Sequence, residues 1–140
     1  MKPLFGYGTF RKAAWCSAIL GAAYPAQPAT LSGYRRVATG SGYLSLRETV
    51  VDLAPVEGVL IELDAIGWTV ADAWEGVPTY QRIEVTVNTM HGPREAVAYM
   101  RPGASGPPVE GDVPALLLDR DVEQAIAEFV PIMRALRGEG

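Results

Sequence analysis

Alternation of apolar and polar residues is clearest over Tyr80–Thr89, where Ile83, Val85 and Val87 share one face. Gly92-Pro93 then turns the chain towards a second strand at Glu95–Met100, and the two segments predict a β-hairpin. Helical spacing is clearest at the other extreme. Val122, Ile126, Phe129, Val130, Met133 and Leu136 recur along Asp119–Arg137, with Pro131 expected to kink or restart the helix and Gly138-Glu139-Gly140 expected to fray. Lys2–Tyr7 is short and apolar before Gly-Thr, which reads as a buried strand emptying into a turn. Lys12–Leu20, followed by Gly21, reads as a short helix with a glycine stop. From Gln27 to Leu53 the β-favouring runs Ala29–Thr39, Tyr43–Leu46 and Thr49–Leu53, broken at Gly33, Gly40 and Gly42, predict an antiparallel meander. Val56–Leu63 is a further strand, and Thr69 is the expected N-cap of a short helix carrying Val70, Ala73 and Trp74 and ending at Glu75. Arg101–Pro114 is rich in Gly and Pro and reads as a surface loop suited to act as a lid.

Composition narrows the classes open to such a chain. In 140 residues, 49% are apolar and 20% charged, the balance of one ordinary globular domain over residues 1–140. The 12 basic and 16 acidic side chains give a net charge of −4 without any basic block, which argues against nucleic acid as a partner. Tyr34-Arg35-Arg36 does not change this, because adjacent strand residues point to opposite faces. Cys16 is the only cysteine, so no internal disulfide is expected and the cytoplasm is the default compartment. No leader or membrane-spanning stretch is expected, and a soluble protein follows. One His and one Cys are too few for a zinc site, so neither metal nor cofactor is expected. His91 reads as a solvated turn residue, Cys16 as a small buried hydrophobe, and Trp15, Trp68 and Trp74 as core or pocket wall.

Two motifs carry candidate chemistry. In Tyr7-Gly8-Thr9-Phe10 a strand ends at a glycine, so that successive amide N–H groups can converge on an anion; the plainer alternative is a structural turn. The Gly-x-x-x-x-Gly-Lys and Gly-x-Gly-x-x-Gly spacings are both missing, which disfavours nucleotide binding. Glu75 stands between Trp74 and Gly76. Partial desolvation beside an indole would raise its pKa and make it a proton shuttle, whereas a helix-terminal glutamate paired with Arg82 would be an ordinary surface ion pair.

The order of these pieces resembles the γ-glutamylcyclotransferase-like family. The resemblance rests on Tyr7-Gly8-Thr9-Phe10, Gly40-Ser41-Gly42-Tyr43, Val56-Glu57-Gly58-Val59, Asp72-Ala73-Trp74-Glu75-Gly76 and Tyr80-Gln81-Arg82, spanning residues 1 to about 100. It implies an α+β fold, a small, mostly antiparallel β-barrel flanked by short helices. It also implies that Tyr7, Gly8, Thr9 and Phe10 form a substrate-binding loop, that Glu75 is the catalytic glutamate, and that Tyr80 and Tyr99 are the family's pocket tyrosines. Two positions depart from the pattern: Phe10 and Ala71 stand where leucine is usual, and Phe10 reshapes the pocket wall. The implied activity is cyclisation of a small-molecule γ-glutamyl amine or peptide, releasing 5-oxoproline. The alternative is a non-catalytic module binding a small carboxylate on the same fold, against which the retained Glu75 argues.

Overall fold

The computed structural model describes residues 1–51, 54–111 and 113–139, and in it the alternating segments close upon one another. Strand β1 (Leu4–Gly6) pairs antiparallel with β5 (Val56–Ile61), which pairs with β2 (Ala26–Leu31). β2 then meets β6 (Gln81–Thr89), β6 pairs with β7 (Gly92–Met100), and β7 runs parallel to β1 where Leu4 faces Val97. These strands form a closed barrel in the order β1-β5-β2-β6-β7, which leaves the ladder no open edge. The expected α+β barrel with flanking helices is the observed architecture.

The meander needs correction. β2 joins the barrel through its full-length register with β5, from Ala26↔Ile61 to Leu31↔Val56. β3 (Tyr34–Ala38) and β4 (Leu44–Glu48) instead form a separate two-stranded ribbon. Thr49–Val51 continues no strand, and Asp52 and Leu53 of that expected segment lie outside the described residues. The β6–β7 hairpin forms as expected but turns at Met90-His91, and Gly92 (φ +104°) already begins β7.

Period-two alternation sorts the side chains of β1 and β5 into two cores. Phe5 and Leu60 pack with Val85, Val87, Ala96 and Ala98. Leu4 and Ile61, on the opposite face, pack beneath α1 (Ala13–Leu20), α2 (Ala65–Glu75) and α3 (Asp119–Leu136) with Ile19, Val70 and Val122. Close packing of β5 on β1 requires glycine at position 58: a Cβ there would stand 2.4 Å from the Gly6 carbonyl oxygen and 2.8 Å from the Phe5 ring.

Helix α2 starts earlier than expected. Asp64, extended at φ −86° and ψ −179°, is its N-cap and accepts from the Gly67 amide at 2.8 Å. Thr69 lies inside the helix, its hydroxyl donating back to the Ala65 carbonyl at 3.1 Å. Helix α3 runs unbroken through Pro131. The proline and Ala127, whose carbonyl loses its usual partner, are both exposed, so water can replace the missing bond. Gly138 and Glu139 bond back to Ala135 and Arg134, and Gly140 lies outside the described residues. No helix among the described residues is long and apolar enough to cross a membrane.

Candidate active site

Strand β1 ends at Gly6, and the chain turns at once into the 3-10 turn Thr9–Arg11. A side chain on Gly6 would stand 2.9 Å from the Phe10 Cβ, so the fold-back requires glycine there too. The turn closes through the Arg11 amide to Gly8 (3.0 Å) and the Lys12 amide to Thr9 (3.4 Å). Among the described residues the amides of Gly8, Thr9 and Phe10 donate to no backbone acceptor. Buried Arg36 donates to the Tyr7 carbonyl at 3.3 Å, to Val113 at 2.5 Å and to Gly111, binding the turn to the segment ahead of α3.

This turn forms one wall of a cavity of about 220 Å³. The seven residues expected to form the site line it: Tyr7, Gly8, Thr9, Phe10, Glu75, Tyr80 and Tyr99. The sequence reading missed Tyr43, Leu44, Pro114 and Ala125 on the same wall. Tyr43 stood within Gly40-Ser41-Gly42-Tyr43, but nothing in local spacing shows that the β3–β4 ribbon lays it against α2. Ala125 is an unremarkable helix position that only the packing of α3 reveals. The Arg101–Pro114 segment is a loop, but it is docked on β3: Ala38 bonds to Pro107 and Val109 to Arg36, each at 2.9 Å. Of its described residues, Pro114 reaches the cavity.

Helix α2 delivers Glu75 as its last residue, and Gly76 (φ +69°) caps the end in the left-handed conformation. Glu75 is partly buried, and no hydrogen bond or ion pair to it forms among the described residues. Burial, with a smaller contribution from Asp72, pushes its carboxyl up to about 8. The neighbouring phenols are held neutral: burial first, then Glu75, raises Tyr7 and Tyr43. Tyr7 donates to the Tyr99 carbonyl and Tyr80 to the Leu44 carbonyl at 3.0 Å.

Arg82 does not pair with Glu75. It grips Asp72, one turn earlier on α2, with Nε to Oδ1 at 2.9 Å and an outer nitrogen to Oδ2 at 2.7 Å. The Tyr99 hydroxyl donates to the same Oδ1 at 2.5 Å, and the Arg82 guanidinium lies 4.5 Å over the Trp68 ring. Trp74 shares the cavity wall and meets Phe129 edge-on at 5.4 Å.

Other candidates stay apart from the cavity. His91 is exposed in the β6–β7 turn, and Cys16 packs against the helical core, where burial raises its thiol to about 11. Among the described residues no group of three or more His, Cys, Asp or Glu is arranged to hold a metal ion.

A family model described as Gamma-glutamyl cyclotransferase, AIG2-like, matches residues 4–118. A search of curated proteins gives no match. Among solved structures, one protein from Arabidopsis thaliana is 24% identical with a TM-score of 0.63, over 96% of this chain and 81% of that one. A structure named gamma-glutamyl cyclotransferase is 16% identical with a TM-score of 0.64, over 97% and 86% of the two chains. An AIG2-like protein from Mus musculus is 18% identical with a TM-score of 0.59, over 76% and 80%. At such identities these likenesses establish the fold.

Proposed function

This chain belongs to the gamma-glutamyl cyclotransferase, AIG2-like family, and from that premise we propose that it cyclises a γ-glutamyl amine or γ-glutamyl peptide, releasing 5-oxoproline and the free amine. The observation that carries the reading is Glu75, a carboxyl on the cavity wall with no protein partner among the described residues and a pKa raised to about 8.

The substrate supplies its own nucleophile. Its α-amine attacks the side-chain carbonyl carbon, a nitrogen–carbon bond closes the five-membered lactam, and the bond from that carbon to the departing amine breaks. The protein's first task is to hold the substrate folded so that amine and carbonyl meet, which removes orientational freedom at the barrier. Its second is to move a proton: once the α-ammonium has lost its first proton to solvent, Glu75 takes the proton that the attacking α-amine sheds as the lactam closes and returns it to the departing nitrogen, which leaves as the neutral amine. A carboxyl with a pKa near 8 serves both halves, because its acid and base forms lie close in energy near neutral pH. The amides of Gly8, Thr9 and Phe10 serve as donors, either to the substrate's α-carboxylate or to the oxygen that gains charge as the ring closes. The phenols of Tyr7, Tyr80 and Tyr99 line the cavity as neutral groups that add no competing negative charge.

The test is to incubate the protein with γ-glutamyl amines and γ-glutamyl peptides and to quantify 5-oxoproline and released amine together. Equimolar release of both is expected. Silence across both panels, in protein whose thermal melt shows it folded, overturns the proposal.

A further inference from the structure

The last two turns of α2 hold two carboxylates at positions i and i+3, which places them one above the other on the helix. The Arg82 guanidinium reaches the earlier of the two and is fully engaged by it: Arg82 makes a bidentate pair with Asp72, at 2.9 and 2.7 Å, while stacking over Trp68. We infer that Asp72 is a positioning residue that captures Arg82 and so keeps Glu75 without a cationic partner. The inference rests on the cyclotransferase reading for its role in turnover, though not for its electrostatics.

Electrostatics gives this arrangement a consequence. An unpaired carboxylate in a packed wall keeps a high pKa, and a cation brought within reach lowers it. Were Arg82 to pair with Glu75, the carboxylate would be held ionised and its proton affinity lost near neutral pH. Asp72 acts in two ways that reinforce each other: it occupies the guanidinium, and its own charge raises Glu75 further. The Tyr99 hydroxyl, bonded to Asp72 Oδ1, completes the acceptor's set and ties β7 into the clamp.

One carboxylate and four phenols act on or are acted on by Glu75 among the described residues. Asp72 comes from its own helix; Tyr7, Tyr43, Tyr80 and Tyr99 come from the ends of β1, β4, β6 and β7, and all four phenols are raised. Arg101, at the end of β7, acts on Tyr80. From α3 the wall receives Ala125, whose charged neighbours about one turn away, Asp121 and Glu128, are exposed.

The inference predicts shifts of opposite sign from the two halves of one ion pair. Asp72→Asn keeps an oxygen for Tyr99 but removes the charge and releases Arg82, so the Glu75 pKa should fall by about one unit. Arg82→Gln leaves Asp72 bare beside Glu75, so the pKa should rise by about half a unit or more. The Asp72→Asn/Arg82→Gln double variant should lie nearer wild type than Asp72→Asn alone, since no released cation remains. The Glu75 carboxyl is followed directly by ¹³C NMR titration, and in parallel by the pH profile of kcat/KM for 5-oxoproline release. Opposite shifts in the titration support the inference. Shifts of the same sign, or none in folded variants, overturn it. If no protein releases 5-oxoproline, the cyclotransferase proposal falls while the titration still decides this one.

Discussion

Helix α2 ends by presenting two carboxyls to two different surroundings. Asp72, on the side of β6 and β7, receives three donated hydrogen bonds from Arg82 and Tyr99. Glu75, on the cavity side, receives none among the described residues, and the nearby Tyr7, Tyr80 and Tyr99 hydroxyls donate elsewhere. One helical turn separates a carboxyl whose hydrogen bonds are satisfied from one whose charge is costly. Natural structures rarely leave a polar group in the second condition without a use for it. The satisfied side fixes the helix, and the unsatisfied side retains proton affinity for a ligand.

The most direct way to break the contrast is Glu75→Gln, which preserves shape and removes the titrating proton. If Glu75 is the proton carrier, kcat should fall by about 10²–10⁴, the usual contribution of general acid–base catalysis. In wild type the base form grows as pH passes about 8, so kcat/KM should rise with pH to a plateau above that point, and the variant's residual rate should lack this limb. A variant retaining full rate and the same profile assigns the proton transfer to another group.

A second change leaves Glu75 in place and moves the opposite wall. Gly58→Ala sets a Cβ against the Gly6 carbonyl and the Phe5 ring, so β1 must shift and carry the Tyr7–Phe10 turn with it. Overpacking of this kind costs about 1–3 kcal/mol of stability, read as a lower denaturant midpoint at an unchanged slope. KM should rise about tenfold, since small displacements of binding groups are costly, while the pH profile set by α2 stays where it was. A profile that moves with KM would show that the two walls do not act independently.

These contrasts also mark what local sequence could reveal. The barrel strands and α3 announce themselves by period, because each buries one face and water selects the alternation directly. Phe5, Leu60, Val85 and Val87 are of this kind. The seven candidate residues were likewise traceable, through the family resemblance, to three short motifs and Tyr99, and the fold brings them to one cavity. The partner of β2 was not legible: its pairing with β5 rather than β3 depends on which edge is available in three dimensions. Nor was the choice Arg82 makes. Arg82 lies seven residues from Glu75 and ten from Asp72, and its bidentate fit to Asp72 depends on where β6 sets off after α2. The start of α2 was misread for a local reason. Asp64 and Thr69 are both good caps, and only the extended backbone at Asp64 decides between them.

A smaller effect concerns stability alone. Folded Glu75 holds its proton to about pH 8, whereas an unfolded glutamate releases it near its ordinary value of 4.5. Between those values the folded state binds more protons, so wild type loses stability as pH rises through that window. Glu75→Gln removes the dependence. Relative to wild type it should be no more stable at pH 4.5 and more stable above pH 8, by on the order of 2 kcal/mol given that Glu75 is only partly buried. Thermal melts of both proteins at several pH values measure this, and a stability difference that does not grow with pH would place Glu75 in a solvated setting.

The mildest test reaches the cavity side through its backbone. The Tyr80 hydroxyl donates to the Leu44 carbonyl at 3.0 Å, holding the β3–β4 ribbon against the start of β6 where both line the cavity. Tyr80→Phe keeps the ring and deletes that bond, which should cost about 1 kcal/mol. No charge is removed, so the inflection near pH 8 should stay in place, and with Leu44 less firmly held KM should rise a few-fold at nearly constant kcat. If instead kcat falls a hundredfold, the Tyr80 hydroxyl takes part in the proton transfer, and the division between a wall that shapes and a carboxyl that reacts no longer holds.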